Sequence, residues 1–183
     1  MTEQARTSRV LIGLIVSMTI GAVVLMALDK GAMQGGAFSL SIYLDNDSVD
    51  KVALGGLTPD RDEWHRIEVY YSGTTSGNAR ELAILNGLTS GPDLNAHFVI
   101  CNGRGGKEGE IERTGRWQFQ RPCLSDGKWR GTVDTIRICV VTDGVRQMPT
   151  ECQMARTDEL VKMLRKQFAI SRSTVIWPAN WRM

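Results

Sequence analysis

The chain has 183 residues, room for one ordinary domain plus a short extra segment. Its 22 basic and 20 acidic residues nearly cancel, and beyond Lys30 the balance is 19 to 18. So small a net charge gives no long-range attraction for polyanions, which excludes a nucleic-acid partner.

The first feature along the chain is Val10–Leu28, 19 residues without a charge. As a helix it would be about 28 Å long, close to the ~30 Å hydrocarbon core of a bilayer. Arg6 and Arg9 precede it, while Asp29, Asp45 and Asp47 follow it. The positive-inside rule therefore predicts a single-pass cell-membrane protein with residues 1–9 in the cytoplasm and the remainder extracytoplasmic. A cleaved signal peptide would have a shorter apolar core and a small-x-small site; Gly31-Ala32 and Gly35-Gly36-Ala37 make a poor one, so a retained anchor is the preferred reading. Cys101, Cys123, Cys139 and Cys152 all fall in the exported part, where disulfides are permitted, although Cys101 and Cys139 lie in apolar runs that also suit buried thiols. No CxxC spacing points to a zinc ribbon.

Residues 29–60 read as a linker in which Phe38–Leu44 alternates like a half-buried strand. The folded domain is expected over 61–183. Arg66–Tyr71 (RIEVYY) reads as a strand, and Asn78 as the cap of a short helix to about Leu85, which Gly87 ends. His97–Cys101 (HFVIC) is apolar enough for a central strand. The glycines from Gly103 then turn the chain into a hairpin strand around Glu110–Glu112. Thr135–Val141 (TIRICVV) is a further interior strand. Thr150 and Gln153 form a capping box for a long helix to Phe168, whose apolar residues make one stripe, and Ser173–Trp177 supplies a last strand. A mixed central β-sheet flanked by helices, an α/β fold, accounts for this order.

Trp64 with RIEVYYSGTTSGN, then NAHFVICNG, GEIERTGRWQFQ, TIRICVVTDG and PTECQ, together resemble the N-acetylmuramoyl-L-alanine amidase family, also known as the peptidoglycan recognition protein or phage-lysozyme-type zinc amidase fold. The phrases span Trp64 to Phe168, and their order carries the resemblance. It implies a cleft over the sheet for the glycan-peptide, and a catalytic zinc. Yet Tyr70 and Tyr71, followed by Ser72, stand where the family has a histidine pair whose first member binds zinc. Ala96-His97 replaces a Tyr-His pair, and Arg121-Pro122-Cys123 replaces a small-residue-plus-histidine motif. The region that would carry the remaining ligands reads VIWPANWRM.

Zinc amidase chemistry needs three protein ligands and one open position. The sequence has two histidines, His65 and His97, at neither ligand position, and no His, Cys, Asp or Glu follows Glu159. Tyr70 is a poor ligand, since a tyrosine ordinarily ionises near pH 10. The expectation is therefore a degenerate member with no catalytic residues, no cofactor and no metal, although zinc is the family's cofactor. A replacement zinc site from His97 and Cys123, or a serine hydrolase from Ser72 and His97, is disfavoured, because His97 reads better as a satisfied strand-end histidine and no nucleophile elbow is present. Gly103–Gly109 lacks the Ser or Thr and the helix of a phosphate loop. Glu110 and Glu112 read as a solvated edge.

The candidate ligand groove comprises Tyr70, Tyr71, Ser72, His97, Asn102, Arg116 and Trp117: aromatic faces for sugar rings, and Arg116 for a peptide carboxylate. For Trp117 a core position is favoured. The leading expectation is a membrane-anchored pseudoenzyme that binds peptidoglycan or muropeptides. One alternative is a protein-interaction scaffold whose cleft is filled by Tyr70 and Tyr71; another is an active amidase with a non-standard zinc site. Trp177 and Trp181 would cap the sheet or form an exposed contact.

Overall fold

A computed structural model describes residues 17–19, 47–55, 57, 63–89, 94–127 and 129–181. The chain divides into two compact units, Met1–Phe38 and Ser39–Met183. In the first, residues 17–19 are helical and exposed. The remainder of the expected anchor, and the expected strand Phe38–Leu44, lie outside the described residues. Among the described residues no helix is long and apolar enough to cross a membrane.

The second unit is an α/β fold built on one mixed five-stranded sheet. Its elements are α1 (Val49–Leu54), β1 (Arg66–Tyr71), α2 (Ala79–Leu85), β2 (Phe98–Asn102), β3 (Glu108–Arg113), α3 (Gly115–Gln118), β4 (Thr135–Val140), α4 (Glu151–Gln167), a 3₁₀ turn (Arg172–Thr174) and β5 (Val175–Ile176). The strand order is β3-β2-β4-β1-β5. Strand β1 runs parallel to β4 and β5, β2 runs parallel to β4, and only the edge strand β3 is antiparallel. All residues of β2 and β4 are buried, as near-continuous apolar runs require of strands covered on both faces.

The pleat sends successive side chains to opposite faces. Ile67 and Val69 of β1, Phe98 and Ile100 of β2, and Ile136, Ile138 and Val140 of β4 share one face with Trp64, Trp117 and the α4 residues Leu160, Val161 and Leu164. Val99, Cys101 and Cys139 point the other way, into a smaller cluster with Leu82 and Ala83 of α2. Both predicted caps are made: Asn78 Oδ1 accepts from the Glu81 N–H, and the Thr150–Gln153 box is reciprocal. Gln153 does more. Fully buried, it donates from Nε2 to the carbonyls of Ile100 at 3.0 Å and Val141 at 3.1 Å, tying α4 to the ends of β2 and β4.

Residues 47–55, assigned to the linker from sequence, carry a helix that is part of the fold. Val49 and Ala53 of α1 are buried in the main core. Trp117 Nε1 donates to the Ala53 carbonyl at 2.6 Å, Arg113 to that of Gly55 at 2.9 Å, and Arg156 to that of Asp47 at 2.7 Å. A six-residue helix is too short to persist alone; these contacts supply its stability.

Candidate functional site

The seven residues of the expected groove do not share one surface. Tyr70 and Tyr71 are adjacent in β1 and so lie on opposite faces of the sheet. Tyr71 packs against the α4-side core with its ring 6.4 Å from Trp181, which itself stacks on Trp177 at 5.1 Å. The two C-terminal tryptophans thus extend the core rather than stand apart from it. Tyr70 packs on the other face. Ser72 and Asn102 sit at the C-terminal ends of β1 and β2, where they fasten loops: Ser72 Oγ accepts from the Thr142 N–H at 3.2 Å, and Asn102 Nδ2 donates to the Thr75 carbonyl at 2.9 Å. His97, Arg116 and Trp117 lie at the opposite end of the sheet. Trp117 is fully buried, as favoured from sequence. Arg116 is engaged by the carbonyls of Leu94 and Pro122 and is not directed at a ligand.

His97 is a satisfied core histidine. Its Nδ1 accepts the Arg137 N–H at 2.9 Å, which leaves the proton on Nε2, donated to the Arg121 carbonyl at 3.0 Å. The ring meets Trp64 edge-on at 4.8 Å and Trp117 at 5.8 Å. Burial, with Arg116 and Arg137 acting in the same direction, depresses its pKa to about 3. The structure does bring Cys123 to His97, with Sγ 3.6 Å from Nδ1. Both ring nitrogens are already engaged, and burial pushes the thiol up to about 12, so Cys123 is not an activated nucleophile. Ser72 and His97 are separated by the length of a strand, roughly 15 Å at about 3.3 Å per residue, which removes the serine-hydrolase alternative.

Where the resemblance would put the first zinc ligand, the space holds an arginine stack. The Arg137 guanidinium lies over the Tyr70 ring at 4.2 Å and over the Trp129 ring at 4.4 Å. It pairs with Glu68 at 3.3 Å, donates to the Asn95 carbonyl at 2.6 Å, and Trp129 Nε1 bonds the same Glu68 carboxylate. Burial holds the Tyr70 phenol well above its usual range, with Cys139 adding to the rise. A neutral phenol under a guanidinium cannot serve as a zinc ligand, so these residues do not fit the family's metal. Arg137, Trp129 and Glu68 escaped the sequence reading. The signal available was Arg137 itself, a lone cation inside the apolar run TIRICVV.

A second cluster lies on the same face, at the β2–β3 hairpin. The ligating atoms of Cys101, Glu110 and Glu112 are within 4.8 Å of one another. Glu112 accepts the Ala79 N–H and Glu110 the Lys107 N–H, each at 2.7 Å. Burial raises the Glu112 pKa, and the nearby Glu110 and Glu81 carboxylates add to the rise, so the solvated-edge expectation for this pair is corrected. Glu110 and Glu112 also line an open groove of about 870 Å³ along the outer edge of β3, together with Asp47, Lys51, Arg80 and Arg113.

The candidate disulfides are absent: all four cysteines are free and buried. Cys101 and Cys139 share the smaller core cluster without bonding. Cys101 faces Glu110 and Glu112, Cys123 meets His97, Cys139 packs beside Tyr70 on β4, and Cys152 lies 3.8 Å from the Glu108 carbonyl. Compared with protein-family models, curated proteins and solved structures, the chain has no match in any of the three.

Proposed function

We propose that this chain is a membrane-anchored, amidase-like pseudoenzyme that works as a protein-interaction scaffold. The observation that carries this reading is the stack of Arg137 with Tyr70, Trp129 and Glu68, at the residues where the resemblance would put the family's first zinc ligand. Peptidoglycan binding in the old cleft, the leading expectation from sequence, is less well supported, because its candidate residues are divided between two faces and two ends of the sheet. The open surface is instead the groove beside β3, an edge strand flanked by α1 and α2. Such an edge accepts an extended peptide by strand addition, with backbone hydrogen bonds supplying affinity and the flanking side chains selectivity.

Incubation of the purified full chain with muropeptides and zinc, and co-sedimentation with purified cell-wall sacculi, test the reading together. The expected results are no release of peptide and a chain that stays in the supernatant. Cleavage at the muramoyl–alanine bond would overturn the pseudoenzyme, and saturable pelleting with sacculi would replace the scaffold with a cell-wall binder.

A further inference from the structure

The Gly103–Gly106 loop is built closely over the thiol–carboxylate cluster. A Cβ on Gly106 would lie 2.7 Å from the Cys101 sulfur and 3.2 Å from Glu110 Oε2; one on Gly105, where φ is +104°, would lie 2.8 Å from Glu81 Oε2. The loop is fastened by the Gly77 N–H to the Arg104 carbonyl and by Asn78 Nδ2 to the Gly105 carbonyl, both at 2.7 Å. Beneath it the Cys101 side chain is fully buried and its thiol is not in a disulfide. It is aimed at the two carboxylates. The β2–β3 register shifts between Ile100 and Asn102, around Cys101, and Glu112 pairs with Val99, whose side chain shares the Cys101 face.

We propose that Cys101, Glu110 and Glu112 bind a thiophilic divalent cation of the zinc class, with Glu81 within reach as a further carboxylate. A thiolate with two carboxylates is a donor set for zinc rather than for calcium or magnesium, and three protein ligands leave a fourth position open. Tetrahedral zinc would draw sulfur and oxygen to about 3.5 Å apart, so donors now within 4.8 Å need only small side-chain rotations. The Ala79 and Lys107 N–H groups orient the carboxylates as outer partners do at metal sites. Entry is through the β3 groove, which Glu110 and Glu112 line. Burial raises the Cys101 pKa, and the Glu112, Glu110 and Glu81 carboxylates add to the rise; a dication among them reverses that balance and favours the thiolate. The site lies at the hairpin, does not include Tyr70, and is independent of whether the chain hydrolyses anything.

The test uses the chelator-stripped full chain and Co²⁺ as the probe. A near-ultraviolet thiolate-to-cobalt charge-transfer band is expected, displaced by Zn²⁺, lost in Cys101→Ser and kept in Cys123→Ser and Cys139→Ser. Glu110→Gln, at a half-exposed position that spares the fold, should weaken Zn²⁺ at least about tenfold by calorimetry with an unchanged circular dichroism spectrum. Absence of the band in the natural chain, its survival in Cys101→Ser, or unchanged Zn²⁺ affinity in Glu110→Gln would overturn the proposal.

Discussion

Acidification should destabilise this domain through His97. His97 is held neutral in the fold with a pKa of about 3, whereas an imidazole in the unfolded chain titrates near pH 6.5. Below that unfolded value the unfolded state carries a proton that the folded state lacks. Stability from this group is therefore full above about pH 6.5 and is lost as pH falls toward 3. Between about pH 7.5 and about pH 5 the loss is about 2 kcal/mol, or roughly 30-fold in the folding constant. Glu112 and Asp158, whose pKa values burial raises, act with the opposite sign, so the comparison must be with a variant that retains them. His97→Gln keeps an acceptor for the Arg137 N–H and a donor for the Arg121 carbonyl but cannot be charged. Urea unfolding of the full chain, followed by tryptophan fluorescence, reads the second unit alone, since all five tryptophans lie there. The natural chain should lose about 2 kcal/mol more than His97→Gln over that interval. Equal losses would refute the reasoning, as would a nuclear magnetic resonance signature of a protonated His97 ring in the folded chain at about pH 5.

Arg137→Met should destabilise by about 2 kcal/mol in the same unfolding assay, because it strands the partly buried Glu68 carboxylate and removes the cation between two rings; the emission of Trp129 should shift with it. Gln153→Leu should cost about 1–3 kcal/mol by removing the donor to the Val141 carbonyl and one of the two donors to the Ile100 carbonyl, which keeps the Val141 N–H, and Thr150→Ala about 1 kcal/mol, with the double variant below the sum because both belong to one network. Tyr70→His should not create muropeptide hydrolysis with zinc added, since it supplies one ligand beneath an arginine; turnover by this variant would mean that the other ligands exist.

Much of the fold was legible locally. Arg66–Tyr71, Phe98–Asn102 and Thr135–Val140 carry apolar, β-branched runs that read as strands without their neighbours, and the caps at Asn78 and Thr150 act within three residues of themselves. Helix α1 was not legible, because VDKVAL has no cap bond of its own and is held by Arg156, Arg113 and Trp117, residues more than fifty positions away. The candidate groove failed for two distinct reasons. Separation of Tyr70 from Tyr71 follows from the pleat alone. Separation of Ser72 from His97 needs the sheet order, since only the parallel alignment of β1 with β4 and of β4 with β2 puts them at opposite ends.

The sequence by itself determined the α/β class, the central strands and the capped long helix, because those depend on side-chain periodicity and on bonds between near neighbours. It also determined that the chain carries two histidines, His65 and His97. Only the tertiary structure decided that Arg137 stacks on Tyr70 and Trp129, that the four cysteines stay unbridged, and that Cys101 meets Glu110 and Glu112 beneath a glycine loop. Those outcomes depend on strand register and direction, which many distant contacts settle together and no short window of residues contains.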